Sequence, residues 1–158
     1  TMATPLLQNN SQISNLIYTY NSPHWSLAPY LQMTVVPAAP QAGILGASGS
    51  QGIALLGAYR FTPQVDGRTP RQNISLPMRF EYFNTWGNSG YSTNNLMFGP
   101  NSAAWSATAT PTWQRGIWFG RIEGSYVRAL NPTPGAAFGL NGNATSQARV
   151  MLEVGLLY

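Results

Sequence analysis

The residues of this 158-residue chain that could do chemistry are few: eight arginines, four carboxylates, one histidine, no cysteine and no lysine. Arg79 and Glu81 stand two apart, as do Arg121 and Glu123, while Arg149 precedes Glu153 by four. On an extended strand, even spacing puts both members on one face. Such groups could build one polar site, but cross-strand pairing of opposite charges favours a ladder of ion pairs. A hydrolytic centre needs a nucleophile, a base within hydrogen-bond reach and an orienting group. His24 has Ser22 and Ser26 nearby, yet the first acid is Asp66, so His24 reads as a turn-end histidine. No G-x-S-x-G occurs. The stretch Gly46 to Gly52, GASGSQG, lacks the lysine of a phosphate loop and reads as a flexible external loop. Absent cysteine removes disulfides and thiolate metal sites. No cofactor, no metal and no enzymatic activity are expected.

The elements that must carry these charges are strands. Alternation with period two, the mark of a strand with two unlike faces, recurs in seven segments: about 14–21, 25–36, 53–62, 74–83, 104–114, 117–127 and the closing stretch up to Tyr158. Pro29 inside the second segment either weakens the strand there or implies a bulge. Arg60, Arg79, Glu81, Arg121, Glu123, Arg149 and Glu153 all sit on the parity opposite the apolar row of their strand. That charged parity is otherwise mostly Ser, Thr, Ala and Gln. The remaining charges, Asp66, Arg68, Arg71, Arg115 and Arg128, fall in connections or at a strand end.

Both a soluble sandwich and a membrane barrel alternate in this way; composition separates them. Charged residues are 8% of the chain, against about 25% in globular domains, and the stretch from Thr1 to Tyr59 has none. No run of about 18 apolar residues could form a helical span. The apolar rows carry rings near their ends, namely Tyr20, Trp25, Tyr82, Trp105, Trp113, Trp118, Tyr126 and Tyr158. Amphipathic rings at both edges of an oily band form the aromatic girdles of outer-membrane barrels. The predicted fold is therefore all-β, an antiparallel transmembrane β-barrel, with about seven strands in this chain and residues 1–158 as one barrel domain or the C-terminal portion of one.

Short connections alternate with long ones at about 37–52, 86–102 and 129–146. Short turns face the periplasm and long loops the exterior, which puts Tyr158 on the periplasmic side. Seven strands would then be an incomplete set, because single-chain bacterial barrels have even numbers. The expectation is that this is the C-terminal part of a larger barrel.

The ending Val150, Leu152, Val154, Leu156, Tyr158 resembles the C-terminal signature of bacterial outer-membrane proteins, which usually closes on Phe. The resemblance implies recognition by the barrel-assembly machinery. The stretch Ala104 to Val127, with Thr110 to Gln114, Phe119, Arg121 and Glu123, resembles the penultimate hairpin of OmpL-like beta-barrel porins, and Leu76 to Gly87 fits the preceding strand. This resemblance implies a channel-forming protein of the cell outer membrane.

The function expected first is passive diffusion of small hydrophilic solutes. The seven strand charges would line the lumen, with a weak anion preference from their slight positive excess. The alternatives are a non-conducting barrel that anchors or scaffolds a partner, and a soluble β-sandwich binding module. Expected partners are outer-membrane lipid, the assembly machinery and a second copy of the chain in a homo-oligomer. The arginines are too spread for a nucleic-acid site.

Overall fold

The computed structural model describes residues 11–42, 45–63, 72–87 and 97–157. Among the described residues nine strands follow one another: β1 (Gln12–Ile17), β2 (Tyr20–Asn21), β3 (Trp25–Val36), β4 (Ser48–Arg60), β5 (Gln72–Trp86), β6 (Ala103–Ala109), β7 (Thr112–Arg115), β8 (Trp118–Leu130) and β9 (Ser146–Leu156). They form one antiparallel sheet in which neighbours in sequence are neighbours in space. β1 and β2 lie in line along β3, and β6 and β7 lie in line between β5 and β8, so seven paths cross the sheet. Each of the seven predicted segments overlaps one path. Several strands exceed the 9–11 residues that a tilted crossing needs; β5 has 15.

Prolines explain why two paths are broken. Tyr18 N donates to Pro29 O at 3.1 Å, but Pro29 has no N–H to return. The same half-pair recurs where Thr110 N donates to Pro77 O at 2.9 Å and Ile122 N donates to Pro111 O at 3.1 Å. Each proline removes one rung of the ladder. The register is unchanged on either side of each gap, from Ile17↔Tyr30 to Tyr20↔Leu27 and from Ala109↔Met78 to Thr112↔Ser75. Pro29 therefore weakens the strand and makes no bulge, because a missing donor weakens a rung without adding a residue.

Two turns are set by local chemistry. Between β2 and β3, Ser22 N donates to Trp25 O at 2.7 Å and Trp25 N donates to Ser22 Oγ at 3.0 Å. Between β7 and β8, Gly116 takes φ 59° in a two-residue connection with Ile117, the place where glycine fits the hairpin twist.

The long connections are shorter than expected. β4 begins at Ser48, so most of GASGSQG is strand rather than a flexible loop. The reason lies across the sheet. Gly49 faces Trp86, and a Cβ there would sit 2.8 Å from the indole ring. Glycine is the residue that lets Trp86 lie over the strand. The segment 131–145 is also organised, with a bridge between Phe138 and Ala144.

Candidate functional site

In an antiparallel sheet, directly opposed residues share a face, so the register assigns every side chain. One row runs from Arg60 through Ser75 and Thr112 to Arg121 and Glu153. A second runs from Arg79 through Thr108 and Ser125 to Arg149. Glu81 and Glu123 stand two residues from Arg79 and Arg121 on the same strands. The seven charges that the sequence places well inside its strands thus lie on one face, interleaved with Ser106, Thr108, Thr112, Gln114, Ser125 and Gln147. Ile13, Ile17, Leu56 and Met151 share this face, so it is mixed rather than uniformly polar.

Three ion pairs organise the charged face. Arg121 Nε and Nη2 both donate to Glu153 Oε2, at 2.9 and 2.6 Å, between directly opposed residues of β8 and β9. Arg149 Nη2 reaches diagonally to Glu123 Oε1 at 2.9 Å. Arg79 Nε lies 3.4 Å from Glu81 Oε2 within β5, and Ser106 of β6 donates to the same oxygen at 2.9 Å. Arg121 and Glu123, adjacent in the sequence pattern, each pair with β9 instead of forming a unit together. Arg60 has no carboxylate against it among the described residues; its Nη1 donates to Ser22 O at 3.2 Å.

The opposite face is apolar along the middle of its strands; towards the strand ends Arg115 is opposed to Trp118 and Arg128 to Trp105, so these two arginines share it. Val150, Leu152 and Leu156 face outward on β9 together with Val154, all of them exposed. Tyr158, the last position of the C-terminal pattern and one of the eight ring positions, lies outside the described residues, as do Asp66, Arg68 and Arg71. The other seven rings all lie on the apolar face, in two belts. Tyr20, Trp25, Trp113 and Trp118 stand at the short-turn end, while Tyr82, Trp105 and Tyr126 stand further along. Trp105 and Trp113 are eight residues apart on one path, and so are Trp118 and Tyr126 on the next. Eight residues extend about 27 Å along a strand, or about 20 Å of height at a tilt near 40°. That is close to the apolar band of about 25 Å in outer-membrane barrels. Tyr59 joins the first belt, 4.8 Å from Trp25 between ring centroids, and Trp105 meets Tyr126 at 5.3 Å in the second. Tyr59 shares the outward parity, which is the signal that could have placed it among the rings.

His24 is structural. Its Nδ1 donates to Arg60 O at 2.9 Å and its ring stacks on Tyr59. The two hydroxyls beside it in sequence are engaged elsewhere, Ser22 with Trp25 and Ser26 with Asn21.

A feature without period escaped the sequence reading. At the long-loop end, Met97 to Asn101 folds against the charged face. Phe98 stacks on Phe83 at 6.2 Å and meets Phe138 edge-on at 5.1 Å. Thr133 N donates to Phe98 O at 2.9 Å, tying two loops together. Behind them Thr85 and Ser102 are buried. Ser102 N donates to Thr85 Oγ1 at 3.0 Å, and both hydroxyls lie within 2.9 Å of Gly99 O. Beneath Phe98 a cavity of about 630 Å³ opens on the charged face, bordered by Tyr30, Arg79, Glu81, Phe83 and Arg149.

Comparison with known proteins gives one result. No curated protein and no solved structure matches the chain. Residues 2–158 match the family described as "Putative beta-barrel porin-2, OmpL-like". The chain belongs to the OmpL-like beta-barrel porin family.

Proposed function

We propose that this chain forms the wall of an outer-membrane channel for passive diffusion of small hydrophilic solutes, with a weak preference for anions. The observation that supports this most is the partition of the sheet: seven charges on one face, exposed aliphatic and aromatic side chains on the other. Hydrocarbon suits the second face and water the first. Three glutamates are each paired with an arginine there, so the positive excess rests on Arg60 near the short-turn mouth. Charged side chains lining a pore bias its selectivity, and one uncompensated arginine gives a small bias. Its partners on this reading are outer-membrane lipid, the barrel-assembly machinery reading the outward row that ends the chain, and other copies of itself.

The test is conductance of the purified full chain in planar bilayers under a salt gradient. A stepwise current with a small reversal potential of anion-selective sign is expected, reduced by Arg60→Gln. Strong cation selectivity, or no conductance, would overturn the channel. In the latter case the packed loops at one end of the charged face favour a non-conducting barrel that anchors a partner.

A further inference from the structure

The cavity beneath Phe98 is lined by rings and charges side by side. Phe98 comes from the loop, while Tyr30 and Phe83 stand on the sheet beside Glu81, Tyr30 in its row and Phe83 two residues along β5. Arg79 and Arg149 complete the lining, with Glu123 holding Arg149 from the side. These two arginines and two glutamates cancel. An anion arriving at Arg79 would have to displace Glu81 or stand beside it, and a cation arriving at Glu81 meets the same obstacle from Arg79. A neutral hydroxyl meets none: it can donate to a carboxylate and accept from a guanidinium without breaking either pair, and such charge-assisted bonds are the strong ones. A solute with both hydroxyls and an apolar C–H surface suits a lining of rings and paired charges.

The loop that carries Phe98 is held rather than free. Phe98 adopts φ 64° and Asn101 φ 56°, uncommon for residues with side chains. Such conformations persist where surroundings over-determine them, and here Thr85, Ser102 and Thr133 do so. Gly99, at φ 93°, is required between them, because a Cβ there would collide with the Thr133 hydroxyl.

We propose that this cavity is a binding site for a neutral, hydroxyl-rich solute with one apolar face, of the pyranose sugar class. Phe98 is the platform, and the Arg79–Glu81 pair the hydrogen-bonding edge. The proposal rests on the reading of the charged face as a solvent-filled lumen wall.

Calorimetry of the detergent-solubilised full chain tests it without requiring conduction. Cellobiose is the probe and citrate the anionic comparison. Saturable cellobiose binding is expected, weakened roughly tenfold or more, about 1.4 kcal/mol, by Phe98→Ala and by Glu81→Gln. Phe98→Trp, which keeps a flat ring, should retain affinity and so separates loss of the platform from loss of the fold. Tighter binding of citrate than of cellobiose, no cellobiose binding at millimolar concentration, or unchanged affinity in Phe98→Ala would overturn the proposal. Cellobiose binding without bilayer conductance supports the site while refuting the channel. Conductance without cellobiose binding refutes the site alone.

Discussion

The outward row of β9 and the loop end of the charged face are opposites. Val150, Leu152 and Val154 are 76%, 74% and 73% exposed, whereas Ser102 and Ala104 are 1% and Thr85 5% exposed. In a water-soluble protein the large aliphatic side chains go inside. Here they lie outside, and the tightly enclosed groups are small or hydroxylated, collected where loops fold onto the charged face. The difference teaches that two surroundings act on this sheet. The aliphatic row is at low free energy only in hydrocarbon. The hydroxyl cluster is stable because each member has a partner, as buried polar groups require.

The strongest way to break this contrast is to put a charge on each face of β9. Leu152→Arg should cost about 2–4 kcal/mol when the protein is unfolded from phospholipid vesicles with denaturant, the depth-dependent penalty for arginine facing lipid. Met151→Arg, one residue away on the charged face and opposite Glu123, should change stability by less than about 0.5 kcal/mol. Equal losses at the two positions would abolish the distinction between the faces.

A smaller effect sharpens the other side of the comparison. Ser102→Ala removes a hydroxyl that serves Thr85, Met97 and Gly99. Leaving buried partners unsatisfied should cost about 1–3 kcal/mol. Limited proteolysis should show cleavage near Met97 to Asn101 rising in step. Unchanged protection would mean that the loops are held by their aromatic contacts alone.

The smallest effect concerns the ion pairs. Arg121 and Glu153 are each about half exposed, 48% and 46%, so Glu153→Gln should lose at most about 0.2–1 kcal/mol. Its reversal potential should nevertheless move toward anions, because Arg121 is then uncompensated. A large stability loss with no change in selectivity would reverse the roles assigned to structure and field.

The strands and their faces were legible because one rule, period two, governs every crossing, and a residue such as Arg121 declares its face through its neighbours alone. Chain-distant effects were not legible. Pro29 left a weakened strand and a bulge both open, since sequence shows the missing donor but not the register held on both sides of it. Gly49 looked like loop, since only Trp86 across the sheet explains why a small residue belongs in that strand. Phe98 carried no signal, because loop-to-loop contact has no period, and its partners Phe83 and Phe138 are 15 and 40 residues away. The two aromatic belts were half legible: the rings were visible, while their eight-residue spacing on adjacent paths needed the hairpin register.

Alternation of direction across the sheet carries a consequence for how its rims can be sewn together. The first path, through β1, and the last, β9, point the same way, because five alternating paths, an odd number, lie between them. A direct weld between them would be a parallel seam with slanted hydrogen bonds in an otherwise antiparallel fabric. A tube stitched only by antiparallel neighbours holds an even number of staves. The seven described here therefore reach such closure only with an odd number of additional ones, whichever chain supplies them.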